Sequence, residues 1–228
     1  MYWMLGILWF GLKSVAFLAL LFFVIGVARL FWAKNYTYHS SITDPTVLRK
    51  GDILLTGKQS IQDSWYIQMG NVLTRKLKHR FWTHAAFYAG EGKLWEAQPE
   101  GVREADIDFY LKNGYYIRAF RHRYIQEAAI LDRLVAWCAS KQRDGYDFRG
   151  VIFYACSTLI PLGFNFIFDT TWLARLANVQ DKYFCSELIV EAFEENGYPV
   201  SPFDAWRVKP LDFISNPVLI EVNPSAQL

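Results

Sequence analysis

The sequence predicts an α+β fold built on antiparallel strands and preceded by an apolar amino-terminal helix. Three observations point there. "THAAFYAG" (83–90) and "KLWEAQ" (93–98) flank a Gly-Glu-Gly turn, the pattern of a hairpin. Strand-like runs come first and amphipathic helices follow, where a parallel sheet would need regular alternation of the two. Finally, the chain opens on a long apolar run unlike anything in the body that follows.

That opening run, "MYWMLGILWFGLKSVAFLALLFFVIGVARLFW", carries no charge from Ser14 to Ala28. Leu5 to Trp32 is long enough for a tilted span, since about 20 apolar residues suffice. Tyr2, Trp3, Trp9, Phe31 and Trp32 stand near its ends as interfacial aromatics do. Residues 1–35 are therefore expected to be an uncleaved single-pass membrane anchor, and the bilayer a partner. A cleaved signal peptide fits less well, because Lys13 is the only early cationic side chain. Arg29, Lys34, Arg49 and Lys50 follow the span, and this bias favours a cytoplasmic body.

"KGDILLTG" (50–57) reads as a first strand, bounded by glycines. "SIQDSWYIQMGNVLTRKL" (60–77) spaces Ile61, Trp65, Met69, Val72 and Leu73 at a helical period, weakened by Gly70. The hairpin comes next, then "YYIRAFRHR" (115–123), whose alternation suits another strand. "IQEAAILDRLVAWCASKQR" (125–143) is an amphipathic helix with Ala128, Leu131, Leu134, Val135 and Cys138 on one face, so Cys138 reads as core. An uncharged run, "GVIFYACSTLIPLGFNFIF" (150–168), is interrupted by Pro161 and Gly163. It suits a core helix or an apolar hairpin at a membrane equally well. "FCSELIVEAFEENG" ends the series as a helix closed by Asn196-Gly197.

Composition narrows the function classes. The 228 residues carry a net charge of +2, which gives no reason to expect nucleic acid. Three cysteines, Cys138, Cys156 and Cys185, are too few and too dispersed for a disulfide framework or a zinc site. No cofactor or metal is expected, and the oligomeric state is open.

Cys185 opens a helix, where the dipole favours a thiolate. Free cysteine is also among the most buried residue types, so plain packing is the competing reading. A nucleophile needs a base. His39, His79 and His122 lie among polar or basic neighbours; His84 alone is set in an apolar strand. If the three residues 90–92 make the turn, Ala89 pairs with Lys93, Ala86 faces Glu96 and His84 faces Gln98. His84, Ala86, Glu96 and Gln98 then share one side, with Glu96 diagonal to His84. A turn of two or four residues would send Glu96 to the other face. Ser186 follows the thiol and is a poor rival nucleophile. Glu187 favours the helix dipole but opposes a thiolate, so no catalytic role is assigned to it.

Taken together, "GDILL" (51–55), "THAAFYAG", "WEAQPEGV" (95–102), "GYDF" (145–148) and "YFCSEL" (183–188) resemble the permuted papain-like cysteine hydrolases of the YiiX/YaeF type. These are similar to NlpC-type peptidases and, more distantly, to lecithin:retinol acyltransferase. The resemblance covers roughly residues 48 to 215. It implies that residues 36–228 form a permuted papain-like (NlpC-like) core with an antiparallel sheet, from whose pattern the apolar insert at 150–168 departs. It implies Cys185 as nucleophile, His84 as base, Glu96 as the third member and Tyr146 as an oxyanion donor. Hydrolysis of an amide or ester in a small-molecule, lipid or peptide substrate follows. "CSEL" lacks the Asn-Cys-Glu-His fingerprint of the acyltransferase branch, so acyl transfer is the lesser alternative. An inert papain-like binding domain is the other.

Overall fold

The computed structural model describes residues 40, 42–58, 60, 67–68, 71, 79–147 and 182–222. It also describes positions 3, 9, 13–14, 17, 20–21, 23–29 and 31 of the opening stretch. Its centre is a six-stranded antiparallel sheet in the order β4-β3-β2-β1-β5-β8. The strands are β1 (Ile53–Gly57), β2 (His84–Gly90), β3 (Lys93–Gln98), β4 (Gly101–Asp106), β5 (Tyr116–His122) and β8 (Leu219–Glu221). Two short strands, β6 (Gly145–Tyr146) and β7 (Lys182–Tyr183), pair in parallel outside it. Among the described residues, the helices beside them are α1 (Ile107–Lys112), α2 (Ala128–Ser140) and α3 (Cys185–Glu195).

Both faces of the sheet are covered, which explains why β1 is apolar at nearly every position rather than alternating. Ile53, Leu55, Ala85, Phe87, Trp95, Ala97 and Phe120 point one way, into the core shared with α2 and α3. Leu54, Ala86, Tyr88, Leu94, Ile117 and Ala119 point the other way, onto Ile42, Leu48 and α1. Phe193 of α3 meets Phe87 edge-on at 5.9 Å and lies parallel to the His122 ring at 5.7 Å, locking helix to sheet. On β1's edge of the core, buried Asp52 takes both Arg121 nitrogens at 2.7 Å and the Arg49 N–H at 2.8 Å. A buried carboxylate needs that degree of satisfaction.

The hairpin reaches the expected register by a different route. Glu91 and Gly92 both adopt positive φ, 51° and 77°, and form a two-residue turn that pairs Gly90 with Lys93. A bulge between Tyr88 and Gly90 then absorbs one residue, and Tyr88 pairs with Leu94, Phe87 with Trp95. Two turn residues plus one bulged residue restore the parity of a three-residue turn. His84 and Glu96 therefore fall on the same side.

Strands over 53–57, 84–90, 93–98 and 116–122 and helices over 128–140 and 185–195 lie within the runs that periodicity marks. Gly197 ends α3 with φ 81° and an N–H to Glu194 O at 2.9 Å, and the Tyr198 N–H reaches Phe193 O. Cys138 is fully buried on α2, beside Leu134 and Ile130. Strand β4, helix α1 and strand β8 were not expected. β4 is an edge strand with polar alternation and β8 is three residues long, so neither leaves a strong apolar signal.

The amino-terminal anchor is overturned. Among the described residues no helix is long and apolar enough to cross a membrane. The expected single-pass localisation, with its preference for a cytoplasmic body, falls with the anchor. Within the helix expected over 60–77, residues 60, 67, 68 and 71 are described; the last three are helical and Ser60 is not. The apolar insert 150–168, with Cys156, lies outside the described residues.

Candidate active site

Cys185 is the first residue of α3. Phe184 precedes it with extended backbone (φ −98°, ψ 169°), and the Phe184 carbonyl accepts the first helical bond from the Leu188 N–H at 3.1 Å. The thiol thus sits where unpaired N–H groups and the helix dipole give a positive potential. Cys185 is 5% exposed and opens into a cleft shared with Thr83, Tyr146, Phe184, Trp206 and Pro210. Cys138, by contrast, lies sealed in the core, and burial pushes its thiol far above the ordinary range.

His84 begins β2, opposite Thr56 of β1. Its Nε2 lies 2.9 Å from Glu96 Oε2, and its side chain keeps 15% of its surface exposed. The Cys185 thiol is the ring's other polar neighbour, and with Nε2 committed to Glu96 the nitrogen left for sulfur is Nδ1. Burial disfavours the imidazolium. The thiol and Glu96 outweigh burial, and the imidazolium is raised from 6.5 to about 10.

Glu96 is 1% exposed and carries more partners than sequence reasoning found. Arg103, directly across from it on β4, donates Nε–H and Nη2–H to Oε1, each at 3.0 Å. Tyr110 of α1 donates its hydroxyl to Oε2, the oxygen that also faces His84. Burial raises the carboxyl, but His84, Tyr110 and Arg103 together hold it down at about 2. Gln98 lies on the same side, with Nε2 3.2 Å from His84 Nε2. That nitrogen cannot donate to a protonated Nε2. Arg103 sits at a cross-strand position that a register for β4 would have supplied. Tyr110 left no local signal, because α1 has only six residues.

Tyr146 reaches the cleft from β6. Its neighbour Asp147 donates its N–H to Tyr183 O at 3.1 Å, so the two strands deliver Tyr146 and Cys185 to one place. Ser186 is fully buried and its hydroxyl donates to Val208 O at 2.6 Å, which disposes of it as a nucleophile. Glu187 is 1% exposed; its Oε2 accepts the Phe184 N–H at 3.2 Å. Burial, with Asp147 and Cys185 nearby, pushes its carboxyl up to about 8. It is therefore neutral at pH 7, which removes the repulsion of a thiolate that its charge would cause. Among the described residues no three His, Cys, Asp or Glu side chains gather as a metal site would require.

A helix-capped cysteine, a strand-borne histidine and a buried carboxylate behind it form the arrangement that thiol hydrolases use. No family model matches the chain. It is similar to the probable lipoprotein peptidase YaeF of Escherichia coli (strain K12), with 22% identity over 204 residues covering 80% of this chain and 71% of that protein.

Proposed function

We propose that the protein is a cysteine hydrolase that cleaves an amide or ester bond through Cys185, with peptides the foremost substrate class. The observation that carries this reading is the His84 ring, bonded to buried Glu96 through Nε2 and neighboured by the Cys185 thiol at the start of a helix. Similarity to a protein named as a probable peptidase supports it.

His84 takes the thiol proton at Nδ1, and the ion pair is favoured by Glu96 behind the ring. The Cys185 sulfur attacks the substrate carbonyl, and the electron pair of the C=O bond moves to oxygen. The Cys185 N–H and the Tyr146 hydroxyl are the donors for that oxyanion; each such donor contributes about 3 kcal/mol in acyl-transfer sites. The oxyanion collapses, the bond to nitrogen or oxygen breaks, and His84 gives its proton to the departing amine or alcohol. Water then attacks the thioester while His84 takes one of its protons. Collapse releases the acid, and the thiol is restored.

The test is to trap the acyl-enzyme. The full chain is mixed with p-nitrophenyl acetate, quenched in acid, and digested for mass spectrometry. Acetylation confined to Cys185 and abolished in His84→Ala is expected. Equal acetylation of Cys138 and Cys185, or none on Cys185, sinks the proposal.

A further inference from the structure

One short segment of the cleft's wall, Trp206-Arg207-Val208-Lys209-Pro210, supplies half of the cleft's lining residues. It leaves a 3-10 turn at Ala205–Arg207 and enters another at Pro210–Ser215. Its middle is fastened to the nucleophile's own helix: the Ser186 hydroxyl, one residue beyond Cys185, donates to Val208 O at 2.6 Å. Val208 N–H returns to Ala205 O at 3.0 Å, and the Lys209 N–H is held by Asp212 at 3.0 Å. Trp206 and Arg207 therefore stand at a fixed distance from the sulfur. A wall pinned at its centre by the residue after the nucleophile is built to orient what the nucleophile attacks.

The chemistry of that wall is mixed in a particular way. Trp206, Val208 and Pro210 face the cleft together with Tyr146 and Phe184, an apolar surround for one side chain of a substrate. Arg207 and Lys209 are both cations, and the described lining contains no carboxylate. Arg207 makes no ion pair among the described residues; its guanidinium lies 5.5 Å from the Trp206 ring centre and 5.6 Å from that of Phe203. Stacking of this kind leaves the in-plane N–H groups free for a carboxylate. The other arginine close to the site, Arg103, is already committed to Glu96.

We infer that residues 206–210 form the substrate-selecting wall, and that the preferred substrate is a peptide presenting an apolar residue to the cleft and a carboxylate beside it to Arg207. The inference rests on the hydrolase reading above. Trp206 and its apolar neighbours take the residue whose carbonyl Cys185 attacks, and Arg207 takes the adjacent acidic side chain.

The test uses the full chain and three peptidyl fluoromethyl ketones that share Leu next to the reactive carbon and carry Glu, Gln or Lys before it. Labelling of Cys185 is timed by mass spectrometry, and iodoacetamide, which needs no wall, reports the thiol itself. The Glu–Leu probe is expected to label about fivefold faster than Lys–Leu, the size of one partly exposed ion pair. The preference should fade in 0.5 M salt. Arg207→Gln should erase it while leaving the iodoacetamide rate unchanged. Equal rates for all three probes, a preference for Lys–Leu, or a Glu preference that survives in Arg207→Gln overturns the inference and leaves the hydrolase reading standing. Faster reaction with an uncharged long-chain acyl ester than with any peptide overturns it likewise, in favour of a lipid substrate. If iodoacetamide modifies Cys185 no faster than Cys138, the hydrolase reading fails and this one fails with it.

Discussion

Replacing Glu96 with Gln removes one charge and almost no volume, and its consequence can be worked through from the contacts. Glu96 accepts from Arg103 at one oxygen and from His84 and Tyr110 at the other. An amide cannot satisfy both sides. If its oxygen faces His84, its NH2 meets the Arg103 donors; if its NH2 faces His84, Nε2 must give up its hydrogen and the proton moves to Nδ1, against the thiol. The charge matters as well. Thiol and Glu96 together lift the imidazolium from 6.5 to about 10, against burial. A hydrogen bond to a charged partner is worth about 1.5–3 kcal/mol, so losing the carboxylate lowers the ion-pair equilibrium constant by more than about tenfold. The assay is iodoacetamide alkylation at pH 7, read at the Cys185 and Cys138 peptides by mass spectrometry, with near-UV circular dichroism as a check on the fold. Cys185 should react more than tenfold more slowly in Glu96→Gln, and Cys138 should stay inert. A Cys185 rate equal to wild type in a well-folded Glu96→Gln variant would refute the reasoning, since the carboxylate would then have no hold on the proton.

Two further outcomes concern stability. Burial raises Glu187 to about 8 from an ordinary 4.5, so the folded protein holds this proton more tightly than the unfolded chain does. The associated stability is fully present below pH 4.5 and is lost as pH rises towards 8. Melting temperatures from pH 5 to 9 should therefore fall less in Glu187→Gln than in wild type; parallel curves would show that Glu187 titrates normally. Gly57→Ala should be severely damaging, because a Cβ there would lie 1.6 Å from Phe81 O, backbone that leads directly into His84. A loss of about 3 kcal/mol or more in urea denaturation is expected, and a loss under about 1 kcal/mol would mean that the 81–83 segment yields easily.

How much of the site could be read in the sequence depends on how local each contact is. His84 and Glu96 are twelve residues apart on one hairpin, so turn length and side-chain alternation were enough to place them on one face. The turn itself differed, with two residues and a bulge standing in for three. The parity survived because one extra residue anywhere before the first regular pair has the same effect. Cys185 was legible as a helix start, and Gly197 as that helix's end. The amino-terminal anchor is the case where composition misled. Among the described residues no helix is long and apolar enough to cross a membrane, whatever the apolar content of the opening run.

By itself, the sequence determined the period-two and helical segments, the antiparallel hairpin, the buried place of Cys138 and the position of a thiol at a helix N-terminus. All of these follow from interactions within about a dozen residues. Tertiary structure alone decided that Arg103 and Tyr110 clamp Glu96, that Tyr146 reaches the cleft of Cys185 and that Ser186 holds the 206–210 wall. It also decided that Glu187 is buried deeply enough to stay neutral. Contacts between distant elements depend on how the sheet packs against its helices, and burial sets which charges survive. Neither leaves a periodic trace in the chain.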